Sequence, residues 1–140
     1  MADELAYQSI TGHEAIVDWF GCWPSFHDAE VVDIELHRAG RSRLHVHTFE
    51  MTNEVDERSR YKLNKHAIVT FSFEEISSME LRWFNQQNVL SDLSIELSSE
   101  QITILLGHCF GVEGHIASQR VSVSIKPGVP EDGIYASEKS

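Results

Sequence analysis

The stretch Val89-Leu-Ser-Asp-Leu-Ser-Ile-Glu-Leu-Ser98 alternates apolar and polar residues, and after a short polar turn the chain returns through Gln101-Ile-Thr-Ile-Leu-Leu106. Leu93, Ile95 and Leu97 share one face of an extended chain, because side chains alternate sides along a β-strand. Two such runs joined by a short turn are typical of antiparallel neighbours. We therefore predict an antiparallel hairpin here, and it is the clearest one in the sequence.

Strand-like patterns recur outside this hairpin. Apolar and polar residues alternate, or β-branched and aromatic residues concentrate, in five further segments: Glu30–His37, Arg43–Met51, His66–Phe73, Met79–Phe84 and Ile116–Lys126. The segment Thr52–Lys65 is polar and charged, so we predict a long exposed loop in which Tyr61 and Leu63 can form a short strand.

One helix is predicted near the N-terminus, from Thr11 to Phe20. Thr11 and Glu14 have capping-box spacing, and Gly21 is expected to end the helix.

The predicted fold class is mainly β, at the margin of α+β: an antiparallel sheet of about seven strands, as a sandwich or a curled half-barrel, with one short N-terminal helix. Residues 1–126 are expected to form a single globular domain and residues 127–140 a weakly ordered C-terminal tail.

Charge is the most informative bulk property of the 140-residue chain. Its 22 acidic and 11 basic residues give a formal net charge of -11, which disfavours nucleic acid and anionic membranes as partners and favours a basic protein. The first 37 residues contain no Lys or Arg, whereas seven bases lie between Arg38 and Lys65. The acid-rich region before Arg38 is therefore the first candidate for a binding surface.

The sequence gives no sign of export or membrane insertion. The longest wholly apolar stretches, such as Ile104–Leu106, are far shorter than the roughly 20 residues that cross a bilayer. The acidic N-terminus is unlike a secretory signal, so a cytoplasmic location is expected. Cys22 and Cys109 lie far apart in sequence and are expected to be ordinary thiols.

The segment from Trp23 to Glu30 is the sharpest candidate site, because it combines aromatic residues, an imidazole and carboxylates just before a predicted strand. His27 would act there as a general base or metal ligand, with Asp28 orienting it and Glu30 supplying a second carboxylate. The structural alternative is that Trp23 and Phe26 plug the end of the core and His27 donates a hydrogen bond to a carbonyl group.

A metal site is a second candidate. His45 and His47 lie two residues apart on a predicted strand, so their side chains point to the same face about 7 Å apart. A third ligand from His27, His37 or Glu35 would complete a zinc or copper site. The alternative is an ordinary exposed face of the sheet.

The segment Arg82–Asn88 places four carboxamides directly after Trp83 and Phe84. Carboxamides favour turns because they bond the local backbone. Trp83, Asn85 and Gln87 would alternatively form a recognition patch. No nucleophile elbow or phosphate-binding loop is found, so we expect no catalytic residues, no enzyme activity and no cofactor.

Three segments together resemble a known family of small bacterial proteins, immunity protein family 50. They are Trp23-Pro-Ser-Phe-His-Asp-Ala-Glu-Val31, Phe49-Glu-Met-Thr52 and Phe84-Asn-Gln-Gln-Asn88. The family is grouped with polymorphic toxin systems, so the resemblance implies a cytoplasmic, non-enzymatic protein that binds and neutralises a cognate toxin. It implies no catalytic residues.

The preferred hypothesis is thus an immunity-like protein whose acidic surface docks on a basic toxin. Its candidate binding residues are Trp23, Phe26, His27, Asp28, Glu30, Asp33, Glu35, Trp83, Asn85 and Gln87. One alternative is a metal- or small-molecule-binding domain that uses His27, His45 and His47. Another is a homo-oligomeric structural protein, for example a homodimer that pairs through exposed aromatic residues such as Trp83.

Overall fold

The computed structural model describes residues 2–55, 57 and 61–130, and its six strands form one antiparallel sheet that closes into a ring. The strands are β1 (Glu30–Glu35), β2 (Ser42–Val55), β3 (Tyr61–Arg82), β4 (Val89–Leu97), β5 (Ile102–Phe110) and β6 (Glu113–Pro127). Their order around the ring is β1-β2-β3-β6-β5-β4. The predicted mainly β class is confirmed, and the curled sheet closes on itself instead of stacking as two sheets.

The hairpin from which the prediction started is confirmed as β4 and β5, with Ile95 opposite Ile104. The ring closes beside this hairpin at a narrow seam, where β1 and β4 share the single pair Glu30 and Val89. Backbone hydrogen bonds support the seam on both sides: the Val31 N–H donates to the Asn88 carbonyl and the Leu90 N–H donates to the Ala29 carbonyl, both at 2.8 Å.

Two predicted strands, His66–Phe73 and Met79–Phe84, are parts of the single strand β3, which explains why six strands replace about seven. A bulge between Ile76 and Ser78 shifts the register against β6 and breaks the alternation that the sequence shows. The long loop predicted over Thr52–Lys65 is wrong, because β2 continues to Val55 and β3 begins at Tyr61. The strand that the sequence allowed at Tyr61 and Leu63 is confirmed as the start of β3, where these residues pair with Val55 and Met51.

The predicted helix is confirmed as α1 (His13–Phe20), and a 3-10 helix (Ala2–Ser9) that the sequence did not predict precedes it. The capping box is wrong, since Gly12 is the N-cap residue and no side chain caps the helix. Thr11 instead bridges to β6, where its carbonyl accepts a 2.8 Å hydrogen bond from the Val123 N–H. Gly21 ends the helix as predicted, donating to the Val17 carbonyl at 2.7 Å.

The core lies inside the ring, where alternate residues of the strands point inward. Its largest fully buried members include Phe26, Phe71, Phe73, Leu44, Leu90, Ile104 and Ile116. Ile16 and Phe20 bring α1 onto this core. The predicted tail lies, from residue 131 onward, outside the described residues, and the domain bounds stay a prediction. No helix among the described residues is long and apolar enough to cross a membrane.

Candidate functional site

A groove of about 670 Å³ opens beside the β1–β4 seam. Its walls come from segments 28–32, 84–89 and two residues of β2, His47 and Phe49, with Pro130 at its margin. Four of the predicted binding residues line it: Asp28, Glu30, Asn85 and Gln87. The structure therefore brings together the segment before β1 and the carboxamide segment before β4, which are more than fifty residues apart in sequence.

The aromatic residues before the groove anchor it to the core. Phe26 is 1% exposed, which leaves it almost no surface for a partner. Trp23 is half-buried and stacks on Tyr7, with ring centroids 5.0 Å apart. Phe26 packs against Phe71 of β3 at a centroid distance of 5.8 Å. Both predicted residues thus serve the structural role that the sequence analysis offered as the alternative.

The turn at residues 26–28 holds His27 outside the core. Phe26 and Asp28 both have φ near 64°, a left-handed conformation that is uncommon for residues other than glycine. The Asp28 N–H donates to the Leu90 carbonyl at 2.9 Å, and His27 Nδ1 donates to the Ser91 carbonyl at 2.9 Å. Because one ring nitrogen of His27 donates to this carbonyl, the ring links the turn to β4.

Asn88 connects the opposite wall to the rest of the ring, and its side chain is buried. Its Oδ1 accepts hydrogen bonds from the Asn85 N–H at 3.0 Å and the Val112 N–H at 3.1 Å. Its Nδ2 donates to the Asn85 carbonyl at 2.6 Å. All of these bonds are to backbone groups, so Asn88 fixes the path of the loop and ties it to the β5–β6 turn.

The other members of the carboxamide segment face solvent. Asn85 bonds its own loop, accepting from the Gln87 N–H at 2.8 Å, whereas the side chains of Gln86 and Gln87 are exposed. The turn interpretation is therefore confirmed for Asn85 and Asn88, while Gln86 and Gln87 present amides to the groove.

Exposed aromatic rings flank this wall. Phe84 lines the groove and is 50% exposed, and Trp83 next to it is 62% exposed. Phe110 of β5, opposite Val89, is 54% exposed. Arg82 lies with its guanidinium 5.4 Å from the centroid of the Trp83 ring and pairs with Glu113 at 2.7 Å. Large exposed rings are uncommon on a surface that contacts only water.

The lining of the groove includes a buried histidine, His47, which stacks on His66. His47 is 1% exposed, and its Nε2 lies 3.0 Å from Nδ1 of His66, with the rings stacked 5.2 Å apart. Burial, reinforced by the neighbouring His66, lowers the pKa of His47 from 6.5 to about 4. His47 therefore adds no positive charge to the groove at neutral pH.

Asp33 and Glu35, two further predicted binding residues, lie on β1 away from the groove. His45 Nε2 lies 2.5 Å from Glu35 Oε2, and Arg43 approaches the other carboxylate oxygen at 3.7 Å. The hydrogen bond from His45, with smaller contributions from the charges of His45 and Arg43, lowers the pKa of Glu35. The charge of Glu35 is thus balanced within the chain.

The predicted metal ligands His27, His45 and His47 do not come together. Their rings bond different partners, namely the Ser91 carbonyl, Glu35 with Thr70, and His66. Among the described residues, the one group whose ligand atoms all lie within 4.8 Å of one another is Asp33, Glu35 and His45. His45 and His47 do share a face of β2, as predicted, but the neighbouring strands give each a different environment.

Residues 12–127 match the family model described as Immunity protein 50. This chain belongs to the immunity protein 50 family. The resemblance found in the sequence is thereby confirmed. Apart from Pro130, every residue that lines the groove lies within the matched range of this immunity protein family member. No curated protein and no solved structure matches the chain.

Sequence reasoning missed three residues of this site: Phe49, His66 and Phe110. Phe49 was noticed only as part of the family resemblance, although it lines the groove. His66 comes from β3 and reaches His47 through strand pairing, which no local pattern reveals. For Phe110, the available signal was an aromatic residue placed between Gly107 and Gly111, where no core position was predicted.

Proposed function

We propose that this chain is an immunity protein that binds a cognate protein toxin and neutralises it by direct contact, without catalysing a reaction. Membership of the immunity protein 50 family over residues 12–127 is the observation that carries this proposal. The exposed aromatic residues beside an acidic groove support it, because interfaces are enriched in aromatic side chains. The partner is a basic toxin, since the net charge of -11 would speed its capture. The complex forms in the cytoplasm.

Co-expression with the toxin tests this proposal. The open reading frame that neighbours the gene for this chain is the candidate toxin gene, and it is expressed in a sensitive host alone and together with the chain. Growth should be rescued, and an inactivated toxin should co-purify with the chain in a fixed ratio at low salt. A toxin that is equally active with and without the chain, and that forms no complex with it, would refute the proposal.

The salt dependence of the association rate distinguishes an encounter steered by charge from a purely apolar one. For a basic toxin, the association rate should fall steeply between low and physiological ionic strength, because the Debye length shrinks to about 8 Å. The dissociation rate should change little. An association rate that is independent of salt would contradict the basic toxin while leaving the immunity role intact.

A further inference from the structure

The first strand of the ring is fully paired along only one of its two edges. β1 pairs with β2 from Glu30 to Glu35, whereas its pairing with β4 is limited to the single residue pair of the seam. The last backbone hydrogen bond on the seam side runs from the Val31 N–H to the Asn88 carbonyl. From Val32 to Glu35 this edge of β1 has no backbone partner among the described residues. The sheet is therefore open at this edge.

A bulge decides which backbone groups face the open edge. The register moves from Val31 opposite Val46 to Asp33 opposite His45, so β1 has one extra residue there. Val31 directs its side chain into the core and its N–H away from β2. The extra residue returns Ile34 to the same phase, and its side chain packs against the core as that of Val31 does. Because side chains and backbone groups both alternate along a strand, the Ile34 N–H and carbonyl also point away from β2.

The open edge begins inside the groove. Val32 lines the groove on the β1 side, and Phe84, Gln86 and Gln87 line the opposite wall. The groove volume of about 670 Å³ is that of a site for several residues. An extended segment therefore has room between β1 and this wall, where it would add a strand to the sheet and contact the exposed Phe84 ring. In strand addition, main-chain hydrogen bonds supply affinity and alternate side chains supply specificity.

The charge of β1 favours a different chain over a second copy as the added strand. Asp33 and Glu35 lie two residues apart on the strand, and Asp33 is exposed. Two copies paired antiparallel about Ile34 would place Asp33 of each copy opposite Glu35 of the other, and like charges on facing strands are destabilising. A strand with Lys or Arg opposite Asp33 would instead be stabilised. Bulges and charged side chains are also the devices that protect sheet edges from self-association.

We propose that the open edge of β1, from Val32 to Glu35, binds an extended segment of the toxin as an added β-strand. The added strand exchanges backbone hydrogen bonds with Ile34, carries a basic residue opposite Asp33 and contacts Phe84 in the groove. This inference rests on the proposed function, and it names the surface of the chain and the kind of toxin segment that the surface fits.

Two variants at one position of the full chain isolate the backbone contribution. Ile34→Pro removes the N–H that faces the open edge, and edge strands accept proline where the N–H points away from the sheet. Ile34→Ala truncates the same side chain and keeps the N–H. A second pair tests the charge: Asp33→Asn at the edge, and Asp18→Asn at an exposed position of α1. Thermal unfolding verifies that each variant is folded.

Calorimetry with the inactivated toxin then gives the dissociation constants. Ile34→Pro should bind about 30-fold more weakly than Ile34→Ala, because a toxin carbonyl would lose its donor within a buried contact. Asp33→Asn should bind about fivefold more weakly than wild type, as expected for one charge pair across two strands. Asp18→Asn should bind within about twofold of wild type, because its charge lies outside the edge.

Amide exchange in the wild-type chain supplies a second measurement, which decides the matter if Ile34→Pro does not fold. In the free chain the Ile34 amide should exchange with deuterium faster than the Glu35 amide, which faces β2. Saturation with the inactivated toxin should slow exchange of the Ile34 amide at least about 10-fold, because that amide gains a hydrogen-bond partner.

The outcomes separate the two proposals. Toxin binding that leaves the exchange of Ile34 unchanged, or that is equally strong in Ile34→Pro and Ile34→Ala, would overturn the edge assignment and leave the immunity role standing. A wild type that binds no toxin would overturn both. Light scattering that shows a wild-type dimer, converted to a monomer by Ile34→Pro, would assign the edge to a second copy of this chain and overturn the inference.

Discussion

Replacing Asn88 with alanine tests the claim that one buried carboxamide organises a wall of the groove. The change removes three hydrogen bonds, to the Asn85 N–H, the Asn85 carbonyl and the Val112 N–H. Val112 is fully buried, so its N–H would lose its partner without gaining water, at a cost of about 1–3 kcal/mol. Asn85 is exposed, and water can replace its two bonds for about 0.5 kcal/mol each.

The free energy of unfolding should therefore fall by about 2–4 kcal/mol in Asn88→Ala. Urea unfolding at neutral pH measures it, and the Val112 amide should exchange with deuterium faster. Gln87→Ala is the matched control: its side chain is exposed and its backbone N–H still reaches Asn85, so its stability should change by less than about 0.5 kcal/mol. An Asn88→Ala protein as stable as Gln87→Ala, with an unchanged Val112 exchange rate, would refute the reasoning.

Three further outcomes are expected. The pKa of His47 is about 4 in the native chain against 6.5 when unfolded, so stability should be constant above pH 6.5 and fall below it, by about 2 kcal/mol at pH 5 in urea titrations. The loss of stability at pH 5 should be smaller in His47→Gln and unchanged in the control His108→Gln, whose side chain is exposed. Equal losses in both variants would contradict His47 as its source. Gly114→Ala should lower the free energy of unfolding by about 2–4 kcal/mol, because φ of Gly114 is 142° and an added Cβ would lie within 2 Å of the Glu80 carbonyl oxygen. Calorimetric melting of this variant that matches wild type would show that β3 and β6 can separate there. Protein purified without an affinity tag should contain zinc far below one ion per chain, since His27, His45 and His47 face different partners. One zinc ion per chain that is lost in the double variant His45→Ala with His47→Ala would restore the metal-site alternative.

The strands were predictable because inward and outward residues alternate wherever one face is buried. That signal located β4 and β5 closely and gave the centre of β1 and β6. It failed at the ends of β2 and β3, because the sequence from Thr52 to Lys65 is polar and charged and shows no apolar alternation. It also divided β3 in two, because the bulge after Ile76 changes which residues face inward.

The candidate site was predictable only in its parts. The segment around His27 and the carboxamides before β4 both stand out in the sequence, but their meeting across the seam depends on pairing between residues far apart in the chain. The acidic binding surface inferred from net charge stays a prediction. Glu35 is neutralised by His45 and Arg43, which only the register of β1 against β2 brings near it.

The narrow seam between β1 and β4 links partner binding to the integrity of the whole ring. With one residue pair in the ladder, we expect this joint to open before the pairing of β3 with β6, which extends along most of both strands. The groove has one wall on each side of this joint. A partner bound in the groove would contact both walls and hold the seam closed. Binding should therefore slow amide exchange at Val31 and Leu90 and also raise the melting temperature of the chain.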